Sequence, residues 1–151
     1  MKINTRLFGE IEIAESRIIT FESPIMGFEE YKRYTLIYDS ENKGDIMWLQ
    51  SIEEPELAFT VMDPSSILEK YSPLVEDELL TSLGKVETDE DYFVLTVITI
   101  PSDITKMTAN LKAPIVINTK TNKASQIVVN NEEYVVRFNI YDYIMKLKES
   151  N

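Results

Sequence analysis

The side chains able to do chemistry in this chain are carboxylates and lysines. Its 151 residues include 26 Asp and Glu and 15 Lys and Arg, with no His and no Cys. Without those two residue types no Ser-His-Asp triad, thiolate nucleophile, His/Cys zinc site or redox dithiol can be assembled. A carboxylate hydrolase remains conceivable, but it needs two acids facing one cleft roughly 5 to 10 Å apart, and no spacing here singles out such a pair. Glu87, Asp89 and Asp91 alternate like the first ligands of a calcium loop. Tyr92 then occupies the sixth position, where such a loop needs glycine, and no acid closes it at the twelfth. Gly9, Gly27, Gly44 and Gly84 are too scattered for a phosphate-cradling loop. This inventory removes most small-enzyme chemistry and predicts a chain that carries no cofactor and no metal.

The elements that would position these residues follow from periodicity. A chain of this length is expected to form one domain, residues 1–151, burying roughly 70% of its unfolded surface. Ile3, Ile11, Ile13, Ile18, Ile19 and Phe21 lie among polar residues with turn chemistry at Phe8-Gly9 and Glu15-Ser16, which predicts short strands. TLIYD at 35–39 and IMWLQ at 46–50 read as a hairpin around SENKGD, and ELAFTVM at 56–62 as the next strand, closed by Asp63-Pro64. YFVLTVITI at 92–100 is apolar on both faces and should be a central strand. PIVIN at 114–118 and QIVVN at 126–130 follow as strands, and Asn130-Asn131 is expected to turn into a further strand, EYVVRF. Between 73 and 84 the period becomes helical, with Pro73 at the first helical position and Gly84 past the end. DYIMKLKES, with Tyr143, Ile144 and Leu147 on one stripe, predicts a second short helix. The pattern as a whole predicts a mainly β fold: a small antiparallel β-barrel-like single domain with one or two short helices.

Charge is unevenly distributed. Residues 53–91 hold twelve acids against Lys70 and Lys85, a balance of −10, leaving fourteen acids and thirteen bases, or −1, elsewhere. Such a field repels phosphates, so direct nucleic-acid binding is not expected, and it favours a basic partner. The ordinary explanation is a solvated face that keeps the protein soluble. For Glu76, Asp77 and Glu78 there is a second structural explanation, because acids in a helix's first turn complement its dipole. No apolar run approaches the ~20 residues of a membrane span, and MKINTRLFGE lacks a signal-peptide core. A cytoplasmic protein away from membranes is therefore expected, and the lack of Cys agrees with that.

Several residues are singled out by type or neighbourhood. Trp48 reads as a core or half-buried anchor. Gln50, two residues later, has no obvious structural explanation. In NLKAPIVIN, residues 110–118, Pro114 cannot donate to a sheet ladder and so marks the start of a strand. Leu111, Ile115 and Ile117 are expected in the core, with Asn110 bonding the turn before the proline.

GFEE at 27–30, WLQS at 48–51, LAFTVMDP at 57–64, Tyr71, and IP followed by TANLKAPIVIN at 108–118 with Gln126 together resemble the flagellar assembly factor family, FliW, in order from about residue 3 to residue 138. The sequence departs at SPIMGFEE, where Pro24 and Met26 stand in place of the Gly and Pro of the family's usual turn. The resemblance implies a β-barrel-like, cytoplasmic monomer that is not an enzyme and that binds flagellin. It also implies that, when flagellin is scarce, such a protein binds the translational repressor CsrA and keeps it from silencing flagellin mRNA. A dedicated flagellin export chaperone that ignores the repressor is the alternative. On this reading an acidic antagonist would attract a basic RNA-binding protein through Glu53, Glu54, Glu76, Asp77 and Glu78. Exposed polar positions at strand ends and near the first helix, Gln50, Asp63, Glu69 and Tyr71, complete the expected contacts, with Asn110 from the most family-like string.

Overall fold

The computed structural model describes residues 1–38, 46–84 and 91–149. The chain builds a mainly β fold with two short helices. β1 (Lys2–Thr5) and β2 (Gly9–Glu12) form a two-stranded antiparallel hairpin. A second sheet contains β3 (Ile18–Ser23), β4 (Arg33–Ile37), β5 (Ile46–Ser51), β6 (Ala58–Met62), β7 (Tyr92–Thr99), β8 (Thr108–Ala109), β9 (Ile115–Asn118), β10 (Lys123–Gln126) and β11 (Phe138–Asn139). Pairing runs β3-β4-β5-β6-β7, and β7 then pairs with β9, β9 with β10, and β10 with β3, so seven strands close into a barrel. Closure removes the free edges that an open sheet would expose. All of these pairings are antiparallel except β10 with β3, which are parallel. That pair joins strands far apart in the chain, which is how a parallel neighbour arises without a crossover helix between consecutive strands.

The both-faces apolar pattern of β7 has a direct cause. Leu95, with Phe93 and Val97, faces the barrel interior beside Phe21, Tyr34, Leu49 and Ile115. Tyr92 and Val94 point to an outer cluster with Leu83, Val116 and Ile127. Ile98 enters a third cluster with Met62, Ile67, Leu111, Ile140 and Ile144. β7 is therefore the wall between the barrel core and an outer layer made by α1 (Asp77–Thr81), β8, β11 and α2 (Tyr141–Glu149).

Several expected elements differ in the structure. QIVVN is not a strand: β10 ends at Gln126, although Ile127 N–H still donates to Pro114 O and Val129 N–H to Lys112 O. Pro114 has no N–H to return, so the ladder cannot continue past it. EYVVRF is not a strand either, and only Phe138–Asn139 pairs. Asn131 makes no left-handed turn; its side chain accepts from Leu74 N–H at 2.6 Å and donates to Ser72 O and Glu133 Oε1. The asparagine with positive φ is Asn122, at 57°, in the β9–β10 turn. That bonding also explains why α1 starts at Asp77 and not at Pro73: Leu74 N–H and C=O are both engaged, by Asn131 Oδ1 and Asn130 N–H, and hold the segment extended. The loop of the expected TLIYD/IMWLQ hairpin, and Glu87 and Asp89 of the calcium-like pattern, lie outside the described residues.

Candidate partner-binding surface

β3, β7 and β10 end, and β4, β6 and β9 begin, at one mouth of the barrel, where β5 also ends. Loops 24–32, 51–57 and 110–114 surround it. Gln50 holds the second of these. Contrary to its expected exposure it is fully buried, and its Nε2 donates to Ser51 O, Pro55 O and Leu57 O at 3.1, 3.3 and 3.1 Å. Its Oε1 has no protein partner. Ser51 Oγ accepts from Glu53 and Glu54 N–H, so the end of WLQS folds the β5–β6 turn onto itself.

Glu53 then ties this turn to its neighbour. One carboxylate oxygen accepts both Lys32 N–H and Arg33 N–H at 3.0 Å. The Lys32 N–H bond is the largest influence holding its carboxyl below the usual glutamate range; burial, the next largest, opposes it, and the Arg33 N–H bond and the nearby Arg33 and Lys32 charges add to the lowering. Tyr34, fully buried beneath the same loops, has its phenol pushed up to about 12, first by burial and then by the nearby Glu53 charge. Trp48 is half-buried on the outer face, where Phe8 of the β1–β2 turn meets it edge-on at 5.5 Å.

NLKAP is bound from every side. Asn110 Oδ1 accepts from Ala113 N–H at 2.9 Å, which is the turn bond expected for it, and Asn110 O accepts from Thr96 Oγ1. Tyr71 is half-buried; its hydroxyl donates to Leu111 O at 2.7 Å and its ring packs on Tyr134. Leu111, Ile115 and Ile117 are buried. Gln126 bridges two loops, accepting from Met26 N–H at 2.8 Å and donating to Ala113 O at 3.1 Å. That bond anchors the departing SPIMGFEE loop. Gly27 there has φ of 90°, a region that favours glycine, and Glu29 Oε1 accepts from its N–H.

The surface around this mouth presents apolar side chains on braced backbone. Met26 is 57% exposed and Phe28 38%, the latter stacked edge-on against Phe59. Val128, Val135 and Val136 are exposed on the segment that follows Gln126. The expected acidic residues do not form one face. Glu53 and Glu54 lie at the β5–β6 turn, whereas Glu76 precedes α1 and Asp77 and Glu78 form its first turn, in the outer layer over β7 and β9. Asp63 caps the 3-10 turn Pro64–Ser66, accepting from Ser65 N–H at 2.9 Å, and Glu69 is exposed beyond it. Of the residues singled out from the sequence, the structure brings Gln50, Glu53 and Glu54 together in one turn, and Tyr71 and Asn110 around NLKAP.

Sequence reasoning passed over Asn118, and it read Asn131 as a turn residue and not as the anchor of Leu74. Asn118 is fully buried; its Nδ2 donates to Leu83 O and Gly84 O, and its Oδ1 accepts from Lys120 and Thr121 N–H. It fastens the end of α1 to the barrel. The available signal was a polar residue closing an all-apolar run. Among the described residues no group of three or more acids is placed to hold a metal ion, and no helix is long and apolar enough to cross a membrane.

The family described as FliW protein matches residues 2–140. A flagellar assembly factor FliW of Lachnospira eligens is 51% identical over 97% of this chain and 98% of its own length. One of Lachnoclostridium phytofermentans is 48% identical over 94% of this chain and 92% of its own. A crystal structure of the flagellar assembly factor FliW superposes with a TM-score of 0.83 at 32% identity, covering 93% of this chain and 96% of that one.

Proposed function

The chain belongs to the FliW family, and from that premise we propose that it is a monomeric, cytoplasmic flagellar assembly factor that binds flagellin. When flagellin is scarce it binds a CsrA-type translational repressor instead and relieves repression of flagellin mRNA. The single observation that carries this reading is the family match over nearly the whole chain, together with fold agreement across the same length. Two physical features support a protein-binding role. Exposed Met26 and Phe28 sit on a loop whose backbone is fixed by Gln126 and Glu29, which limits the ordering cost of docking. The formal charge of −11 suits a basic RNA-binding partner and disfavours RNA itself.

Separate calorimetric titrations with the repressor and with flagellin from the same organism test this. Saturable binding of each is the expected result. Flagellin binding alone leaves a dedicated export chaperone, and binding of neither overturns the reading. Neutralising Glu53, Glu54, Glu76, Asp77 and Glu78 together should weaken the repressor complex and reduce its salt dependence; unchanged affinity would remove the acids from the contact.

A further inference from the structure

We propose that the open groove between α1 and strands β7 and β9 is a docking site for a basic segment of a protein partner, which buries apolar side chains in it. The inference rests on reading the chain as a protein-binding factor and adds a place and a partner chemistry to that reading. The groove has a volume of about 240 Å³ and is lined by Pro73, Val75, Leu80, Tyr92, Val94 and Val116. It exists because α1 is only five residues long and begins late, at Asp77, so it covers part of the apolar outer face that β7 and β9 present. Leu74 and Leu79 add 58% and 39% exposed side chains along the α1 side. A concave, mainly apolar floor with a few polar groups beside it is the usual form of a binding site.

The rim decides the occupant. Glu76, Asp77 and Glu78, all exposed, stand in the chain between the lining residues Val75 and Leu80. Glu132 and Glu133, also exposed, directly follow Asn131, whose side chain holds Leu74 N–H next to the lining residues Pro73 and Val75. None of these five acids takes part in an ion pair among the described residues. Among the described residues Lys112 lies beside this segment; its ammonium donates to Asn131 O at 2.8 Å, and its charge also acts on Glu133. An apolar floor inside an acidic rim repels nucleic-acid phosphates, anionic lipid and a second copy of this acidic chain. It matches lysines and arginines spaced around one or two apolar anchors.

The test is an NMR titration of the full chain at low salt with a synthetic peptide of Leu and Lys at helical spacing, and with a control in which Ser replaces Leu. Shift changes confined to residues 74–83, Tyr92, Val94 and Val116 are expected, with the control binding more weakly. The triple reversal Glu76→Lys, Asp77→Lys, Glu78→Lys should weaken the peptide complex by about tenfold or more, as expected for several exposed charge pairs acting together. Leu80→Ser should weaken it independently, and unchanged shifts from the barrel core would show that both variants fold. Changes centred on Met26 and Phe28, equal binding of the control, or indifference to the triple reversal would overturn the proposal. The two readings fail separately. If neither repressor nor flagellin binds, the proposed function falls and the peptide map still decides the groove; if a natural partner binds while the reversal changes nothing, the groove falls and the function stands.

Discussion

Replacing Gln50 distinguishes a structural brace from a partner contact. Its amide has two N–H donors shared among three carbonyls, all in the β5–β6 turn. Two of those carbonyls keep other donors without it: Pro55 O also accepts from Arg6 N–H and Leu57 O from Ser51 N–H, each at 2.9 Å. Gln50→Leu therefore orphans chiefly Ser51 O, and it also removes the unpartnered Oε1. With a net hydrogen bond contributing about 1 kcal/mol, the cost should be only about 1 kcal/mol. Gln50→Glu is far worse above neutral pH, because it places a buried carboxylate against three carbonyl oxygens, a penalty of about 3 to 5 kcal/mol. The introduced carboxyl would have a folded pKa raised above its unfolded value, so the ionisation penalty is absent below the unfolded pKa of about 4.3 and grows as pH rises through the interval above it. Urea unfolding of both variants at acidic and alkaline pH measures this directly. If Gln50→Glu were as stable as the parent at alkaline pH, or if Gln50→Leu lost partner binding while keeping stability and the β5–β6 turn, the bracing role would be refuted.

Asn118→Ala removes four hydrogen bonds from a fully buried side chain, some of whose partners water can reach once it is gone. A loss of about 2 to 3 kcal/mol is expected, with amide exchange rising in α1 before the barrel strands. Gly84→Ala combines a φ of 104° with a Cβ only 2.7 Å from Thr121 Cγ2, and should cost about 1 to 3 kcal/mol by thermal unfolding; paired with Thr121→Ser, part of the loss should return. The Lys32 N–H bond holds the folded pKa of Glu53 below its unfolded value, so its stabilisation is present above the unfolded pKa and is lost as pH falls through the folded one. Glu53→Gln should therefore flatten the acid limb of the stability curve, which denaturation at stepped pH checks.

The barrel was legible where the residues carried one dominant instruction. YFVLTVITI could only be buried on both faces, and the clusters on either side of β7 supply those two environments. Pro114 fixed the start of β9, and Asn110 bonds the turn before it. What local pattern could not convey was who receives each hydrogen bond. QIVVN has ideal strand residues, yet its partner segment contains the proline that stops the ladder. PLVED has helical spacing from Pro73 onward, yet Asn131, more than fifty residues away, holds Leu74 extended. In the candidate surface, residue type misled for Gln50, because a polar side chain between strand and turn can be buried when backbone carbonyls surround it. The acidic run looked like one face because it is contiguous in sequence; β6 and the chain from 63 to 76 carry its two ends to different layers of the fold.

The most direct test of the partner switch is calorimetric titration of this protein with the CsrA-type repressor, repeated with flagellin already bound and at two salt concentrations. Repressor binding that weakens at higher salt and disappears when flagellin is present is the expected result. Flagellin binding with no repressor binding at either salt concentration would contradict the switch.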